Sequence, residues 1–112
     1  MPEWVPDAAE LVWLTFDAQA GREQAGRLPA LVLSPAAYNR RSGLAIMCPI
    51  TRRIKGYPFE VELPEELGVS GAVLADHVKS LDWRVRRAES AGKVPARVLR
   101  EVQARLAPLL GL

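Results

Sequence analysis

Short apolar runs bounded by proline, glycine or charged residues fill most of the chain, and such runs are typical of buried β-strands. Strands are predicted at 11–16, 30–33, 44–48, 72–75 and within 78–85. Pro29 precedes the second strand, a position where its missing N–H costs no hydrogen bond of the ladder. Thr51 is expected near the end of the third strand. Residues 17–28 are rich in glycine and polar residues and are predicted to form a loop.

One further run, 57–63, alternates apolar and polar residues with a period of two. This pattern predicts a strand with one face in water, and Glu60 and Glu62 are expected on that face. Between the second and third strands, residues 36–42 are short and polar and stop at Gly43, which predicts a turn or a single helical turn.

The end of the chain has helical periodicity. Pro95 suits a first helical position, and apolar residues then recur every four residues at Val98, Val102, Leu106 and Leu110. Pro108 is expected to end or kink this helix. Several strands followed by one amphipathic helix predict a mainly β fold, a small twisted barrel or curled sheet with a C-terminal helix on it.

Length and composition limit the alternatives. The chain has 112 residues and is 49% hydrophobic and 25% charged, as expected for a single globular domain spanning 1–112. No stretch approaches the ~20 apolar residues of a membrane span. No secretory signal is visible, and Cys48 is the only cysteine, so a cytoplasmic location without disulfides is expected.

Positive charge is clustered, although the net charge is only +2. Residues 40–55 carry five basic side chains and no acid, and a second basic group lies at 84–87. Most of the basic residues are arginines, whose planar guanidinium suits phosphate recognition. The clusters therefore favour a polyanionic partner. The alternative interpretation is that the arginine content reflects overall composition.

The sequence offers little for metal or cofactor chemistry. No His, Cys, Asp and Glu residues have the spacing of a metal site, and glycine-rich phosphate or dinucleotide motifs are absent, so we expect no cofactor. His77, the only histidine, follows Asp76 and is either a general base or a structural histidine, and the structural interpretation is favoured.

What remains is a set of polar residues at predicted strand ends, which lie at Glu23, Gln24, Arg27, 51–55 and 76–80. Arginines and a hydroxyl that converge on one groove can stabilise the charge that develops on a phosphate in the transition state. With RNA the substrate supplies the nucleophile, because its 2′-hydroxyl can attack the adjacent phosphate, whereas DNA lacks that group.

Five motifs occur here in the order in which they occur in one family: EQAG at 23–26, PALVLSP at 29–35, PIT at 49–51, KGYPFEV at 55–61 and ADHVKS at 75–80. Through them nearly the whole chain resembles the MazF/PemK family of toxin ribonucleases, and most closely its MazF branch. The resemblance implies a homodimeric SH3-like barrel, related in fold to the gyrase poison CcdB. It also implies metal-independent cleavage of single-stranded RNA, including mRNA, at short sequences, leaving a 2′,3′-cyclic phosphate and a 5′-hydroxyl. The implied partner is an antitoxin of the MazE type.

The resemblance also implies roles for individual residues. Thr51 matches the catalytic hydroxyl residue of the family, although a threonine at a strand end can also simply make a local hydrogen bond. The other positions expected to bind substrate are Glu23, Gln24, Arg52, Lys55, Asp76, Lys79, Arg84 and Arg86. For the pair Glu23 and Gln24 and the pair Asp76 and Lys79, the alternative is that they merely hold the fold. Ordinary solvated charge is an equal alternative for Arg84 and Arg86.

One position departs from the family pattern of Gly, any residue, Arg, Pro. Here the order is Gly26, Arg27, Leu28, Pro29, so a leucine occupies the place of the catalytic arginine. We hypothesise that Arg27 replaces it as a catalytic group, mainly by stabilising charge, because arginine is a poor proton acceptor. The general base stays open between Glu23 and Asp76. The alternatives to a nuclease are an impaired family member that binds RNA or antitoxin without cutting, and a CcdB-like gyrase poison.

Overall fold

The computed structural model describes residues 3–16 and 26–112, which form an antiparallel sheet and two α-helices. In chain order the elements are β1 (Glu10–Phe16), β2 (Gly26–Val32), α1 (Ala36–Ser42), β3 (Leu44–Thr51), β4 (Glu60–Glu62), β5 (Ala72–Leu74), a 3-10 turn (Ala75–His77), β6 (Lys79–Asp82), β7 (Glu89–Lys93) and α2 (Ala96–Leu110).

The strands are ordered β4-β5-β3-β2-β1-β7, and β6 pairs with the first half of β3. Within the two described ranges no ladder joins β4 to β7, so the sheet is open rather than closed into a barrel. The predicted class, mainly β with a C-terminal helix, is confirmed. No helix in the described part of the chain is both long and apolar enough to cross a membrane.

Apolar residues pack on both faces of the sheet. On one face, Leu11, Leu31 and Cys48 pack with Val98 and Val102 of α2, and all five are fully buried. The other face buries a second cluster, which includes Val12, Leu14, Val32, Ala45, Met47 and Trp83. Because successive strand residues point to opposite faces, strands buried on both sides have nearly continuous apolar sequences. This explains why β1 and β3 were predicted within a few residues of their observed bounds.

Several predicted boundaries were wrong. β2 begins at Gly26 rather than after Pro29, because the end of β1 extends far enough to pair with it, Thr15 opposite Arg27 and Phe16 opposite Gly26. The turn or single helical turn predicted at 36–42 is longer than expected, the seven-residue helix α1, although it stops at Gly43 (φ 74°) as predicted. Pro108 lies inside the last turn of α2 and does not end it. β7, a polar edge strand, was not predicted at all.

Glu60 was expected in water, and this was wrong too. β4 is only three residues long, and Glu60 is 9% exposed. Its Oε1 accepts backbone hydrogen bonds from Lys55 (3.0 Å), Gly56 (2.8 Å) and Tyr57 (3.2 Å). These three hydrogen bonds replace the hydrogen bonds to water that the carboxylate loses on burial. Glu60 therefore ties down the loop that follows β3.

Gly71 determines how closely the chain approaches the end of β3. Its φ is +125°, and a Cβ built on it would lie 2.1 Å from the carbonyl oxygen of Thr51. Both the strained φ and the clash with backbone exclude a larger residue there. We expect Gly71→Ala to lower the free energy of unfolding by about 3 kcal/mol, measured by urea denaturation.

Gly92 provides the matched control for that measurement. Its φ is also positive, +117°, but a Cβ there would meet nothing within 4 Å. Gly92→Ala should therefore cost only the backbone strain, about 1 kcal/mol. Equal destabilisation by the two substitutions would show that the close approach of Gly71 to Thr51 adds nothing to the loss of folding free energy.

Candidate functional site: a cleft at the fork of two strands

The site lies where β2 and β3 diverge. The two strands pair only through residues 30–32 and 47–49. Beyond that point β2 continues beside β1, whereas β3 continues beside β5. Pro29 and Pro49 stand at the point of divergence, and neither has an N–H with which to extend the ladder. A gap between the two strands therefore opens towards solvent.

This gap, called the fork cleft below, has a volume of about 650 Å³. It is lined by Trp13, Arg27, Leu28, Pro29, Pro49, Ile50, Thr51, Arg52, Arg53, Leu74 and His77. The cleft thus brings residues with one hydroxyl, three guanidinium groups and one imidazole together, and no residue with a carboxylate lines it in the described ranges 3–16 and 26–112. Positive charge in a confined cleft favours an anionic ligand.

Thr51 is the last residue of β3 and is half-buried. Its Oγ1 accepts a hydrogen bond of 3.1 Å from the backbone N–H of Arg53. Among the described residues its O–H donates to no acceptor. Because the oxygen is already held by an amide, the hydroxyl proton is free to be donated to a ligand in the cleft.

Arg27 is fixed against the wall of the cleft. Its Nη1 donates to Thr15 Oγ1 (2.6 Å) and to the carbonyl oxygen of Arg87 (2.8 Å), and its Nη2 forms an ion pair with Glu89. These contacts use three of the five N–H groups of the guanidinium. Two N–H groups remain available, but the charge is shared with Glu89. Leu28, the next residue, contributes an aliphatic side chain to the same cleft.

Arg52 and Arg53 follow Thr51 directly, and both are exposed. Within residues 3–16 and 26–112, neither guanidinium makes an ion pair or a hydrogen bond to another side chain or to the backbone. Their two charges are therefore uncompensated by the described part of the protein, in contrast to the charge of Arg27. They are well placed to neutralise a phosphate, which Arg binds through parallel N–H groups.

His77 enters the cleft from the 3-10 turn that follows β5. Its side chain is 54% exposed, and its Nε2 lies 3.9 Å from Oδ1 of Asp76.

Beneath the turn, burial and the nearby Asp76 charge raise the pKa of the Cys48 thiol to about 12, so the thiol stays protonated at neutral pH. No group of three His, Cys, Asp or Glu side chains suited to a metal occurs in the described part of the chain.

The family follows from comparison with known proteins. Residues 7–110 match the model of a family described as PemK-like, MazF-like toxin of type II toxin-antitoxin system. The chain belongs to this family. It is 44% identical over 108 residues to the endoribonuclease toxin MazF of Escherichia coli K12, covering 96% of both chains. It is 30% identical to the endoribonuclease PemK of Escherichia coli, over 88% of this chain and 78% of PemK.

Solved structures agree with that assignment. The fold matches a crystal structure of MazE-MazF from Deinococcus radiodurans with a TM-score of 0.93 and 64% identity, over 98% of this chain and 99% of the other. A crystal structure of MazF from the same organism matches with a TM-score of 0.89 and 64% identity, over 98% of this chain and 100% of the other. The recognition of the MazF/PemK family from sequence motifs is confirmed.

Most of the other positions predicted from the family motifs lie outside the fork cleft. Lys55 lies 5.6 Å from the Tyr57 ring, and Lys79 lines an apolar pocket of about 290 Å³ that shares Leu28 with the cleft. Asp76 borders the cleft through its contact with His77. Glu23 and Gln24 lie outside the described residues.

The two arginines of the second basic group pack on aromatic rings. Arg84 lies 4.5 Å from the Trp83 ring and pairs with Glu3 at 3.4 Å. Arg86 lies 4.4 Å from the Phe16 ring and donates to the Thr15 carbonyl oxygen at 3.4 Å. Neither arginine lines the fork cleft. Both stabilise the fold by packing on an aromatic ring.

Some residues of the cleft were given no role of their own from the sequence. Arg53 had a usable signal, since it lies in the polar segment 51–55 at a predicted strand end and within an acid-free basic stretch. Trp13 had none, because it reaches the cleft only through its pairing with Pro29. The favoured structural interpretation of His77 also lacks support, because its exposed side chain makes no hydrogen bond to any described residue.

Proposed function

We propose that this protein is the endoribonuclease toxin of a type II toxin-antitoxin system and that it cleaves single-stranded RNA, including mRNA, in the fork cleft. The observation that carries the proposal is the presence of Thr51 and three arginines in one cleft. Family membership supports it, because the relatives are named endoribonucleases. A cytoplasmic location is part of the proposal.

In the proposed reaction the 2′-oxygen attacks the adjacent phosphorus, so that an O2′–P bond forms while the P–O5′ bond breaks. The 2′-hydroxyl loses its proton to a base, and the departing 5′-oxygen gains a proton. The products are a 2′,3′-cyclic phosphate and a 5′-hydroxyl. No metal ion takes part in this scheme, because the substrate provides the nucleophile and the protein provides positive charge.

Thr51 donates its hydroxyl proton as a hydrogen bond to a phosphoryl oxygen, whose charge grows in the transition state. The arginine that the family places at position 28 is replaced by nearby guanidinium groups. Arg27 offers its two remaining N–H groups from a fixed position, and Arg52 and Arg53 bring charges that no described side chain offsets.

The remaining predicted residues are proposed to guide RNA towards and away from the cleft rather than to contact the reacting phosphate. Lys55 and Lys79 are exposed cations that follow the cleft residues Arg53 and His77 in the chain, and Arg84 and Arg86 add to the basic surface. Asp76 acts through His77. Glu23 and Gln24 are proposed to contact the RNA from the segment that joins β1 to β2.

The partners are proposals as well. Relatives of this chain have been crystallised as MazE-MazF complexes. We propose that this protein likewise binds a MazE-type antitoxin and forms a homodimer. An acidic antitoxin segment that covers the basic fork cleft would compete with RNA for the same charges.

Incubation of the purified protein with a long RNA in EDTA tests the function, and the 5′ ends of the fragments are then sequenced. Discrete cuts with 5′-hydroxyl ends are expected. Binding without cleavage would instead support the impaired binder that Leu28 suggests. Topoisomerase inhibition in the absence of cleavage would support the gyrase poison.

The basic cleft also predicts a salt dependence. Binding of single-stranded RNA releases counterions, with a slope of about −0.7 per phosphate contacted. If about four phosphates are contacted, affinity should fall about 50-fold between about 50 and 200 mM salt. Fluorescence anisotropy with an RNA carrying 2′-deoxy substitutions, which cannot be cleaved, measures this. An affinity that does not change with salt would contradict phosphate binding by these arginines.

A further inference from the structure

The fork cleft holds many proton donors, but the proposed reaction also needs a proton acceptor. Guanidinium groups cannot take up a proton, and a hydroxyl is a very weak base near neutral pH. Among the described residues that line the cleft, His77 is the one whose side chain commonly accepts a proton near neutral pH. The imidazole of His77 is therefore the candidate proton acceptor of the cleft.

The surroundings of His77 match a chemical role better than a structural one. Buried structural histidines normally have hydrogen-bond partners, because an unpaired buried nitrogen is costly. His77 is 54% exposed and bonds to no described residue, so its nitrogens are accessible to a ligand. The turn that carries it is nevertheless well anchored, since Ala75 donates to the Phe59 carbonyl oxygen at 3.0 Å.

The position of His77 is coupled to that of Thr51. β5 pairs with the end of β3, Ala72 directly opposite Thr51, and the 3-10 turn follows β5 without a break. Thr51 and His77 therefore enter the same cleft from two hydrogen-bonded strands. A hydroxyl and a base held by one rigid ladder are pre-organised relative to each other.

We propose that His77 is the general base of the cleavage reaction. An imidazole nitrogen takes the proton of the 2′-hydroxyl as the O2′–P bond forms, and the P–O5′ bond breaks as the 5′-oxygen takes a proton from water. The imidazolium then returns its proton to solvent. This assignment depends on the proposed function and adds to it the identity of the proton acceptor.

The charges around His77 are of both signs. Asp76, on the same turn, stabilises the imidazolium that forms, and is a positioning residue. The cleft arginines, Arg27 from β2 and Arg52 and Arg53 after β3, oppose that charge. α2 packs against the turn but contributes no residue to the cleft lining. The Asp76 carboxylate lies 3.9 Å from Nε2 of His77.

The test uses His77→Gln and His77→Ala, assayed in single-turnover cleavage of an RNA that the wild type cuts. We expect a rate loss of about 10²-fold or more, because general base catalysis typically contributes that much. Added imidazole should restore part of the activity of His77→Ala, whereas a merely structural histidine is not rescued by a soluble base. The wild-type pH–rate profile should fall towards acid, and this limb should vanish in His77→Gln.

Glu62→Gln is the matched control, since Glu62 is an exposed residue of β4 outside the cleft, and it should leave the rate unchanged. Affinity for uncleavable RNA and the Tm verify that each variant is folded. Cleavage by His77→Gln at the wild-type rate, or a rate that rises towards acid, would overturn the assignment of His77 alone. A wild type that cuts no RNA would overturn the proposed function itself.

Discussion

Replacement of Thr51 by valine should lower the single-turnover cleavage rate by about 10²- to 10³-fold, the usual cost of removing one donor that stabilises transition-state charge. Valine has the shape of threonine, so the fork cleft keeps its form. What disappears is the hydroxyl proton, which no described residue accepts in the free protein. The measurement is quenched-flow cleavage of a labelled RNA at saturating enzyme.

Two comparisons separate catalysis from stability at Thr51. Valine also removes the acceptor for the Arg53 N–H, which costs about 1 kcal/mol of folding free energy. Thr51→Ser keeps both the acceptor and the donor and should retain most activity. RNA affinity should stay nearly constant in both variants, because the lost interaction is made in the transition state. If Thr51→Val cuts at a rate within a few-fold of wild type, the hydroxyl has no catalytic role.

The fold was predictable wherever the sequence carries a continuous apolar signal. β1 and β3 are buried on both faces, and their apolar runs mark them within a few residues of their bounds. α2 was equally clear, since Val98, Val102 and Leu106 lie on its buried face. In these elements local periodicity and tertiary burial agree, so the pattern alone was sufficient.

The elements that were missed depend on tertiary contacts. β7 has the sequence ESAGK, which favours no strand, and it forms because the edge of β1 offers hydrogen bonds. Glu60 alternates correctly with its apolar neighbours but is buried, because three amides of the preceding loop bind its carboxylate. The partner of β7 lies about 80 residues away in the chain. The partners of Glu60 are close in sequence, but they reach its carboxylate only through a loop conformation that the alternating pattern does not show.

The candidate site was only half predictable for the same reason. A motif indicated Thr51, and Arg27 was hypothesised to replace the arginine missing at position 28; both residues line one cleft. The cleft itself results from the divergence of β2 and β3, a property of two strands and two prolines that no single segment encodes. Trp13, which reaches it from β1, could therefore be assigned only once the strand pairing was known. His77 was a candidate base from the sequence, but its place in the cleft likewise depended on the pairing of β5 with β3.

Simultaneous replacement of Arg52 and Arg53 by glutamine should reduce the cleavage rate by about 10²- to 10⁴-fold, and this is the largest effect that we expect. Position 28 holds leucine, and the Arg27 charge is shared with Glu89, so these two guanidinium groups provide most of the free positive charge near Thr51. Charge that develops on the phosphoryl oxygens then lacks its main compensation. Arg27→Gln alone should be less damaging to the rate.

A control and a rescue make that experiment specific. Arg40 and Arg41 are a second pair of consecutive exposed arginines, at the end of α1 and outside the fork cleft. Their double replacement by glutamine changes the net charge equally, and should only weaken RNA binding slightly through the long-range field.

The rescue uses position 28. Leu28→Arg, introduced into the Arg52→Gln, Arg53→Gln variant, should restore much of the rate, because it returns a guanidinium to the place where the family pattern has one. Restoration would mean that Arg52 and Arg53 perform the role that the family gives to an arginine at position 28. The catalytic cation would then come from about two dozen residues further along the chain but from the same cleft. A double variant that cuts as fast as the Arg40 and Arg41 control would instead leave Arg27 as the catalytic cation, since it is the only other guanidinium among the described residues that line the cleft.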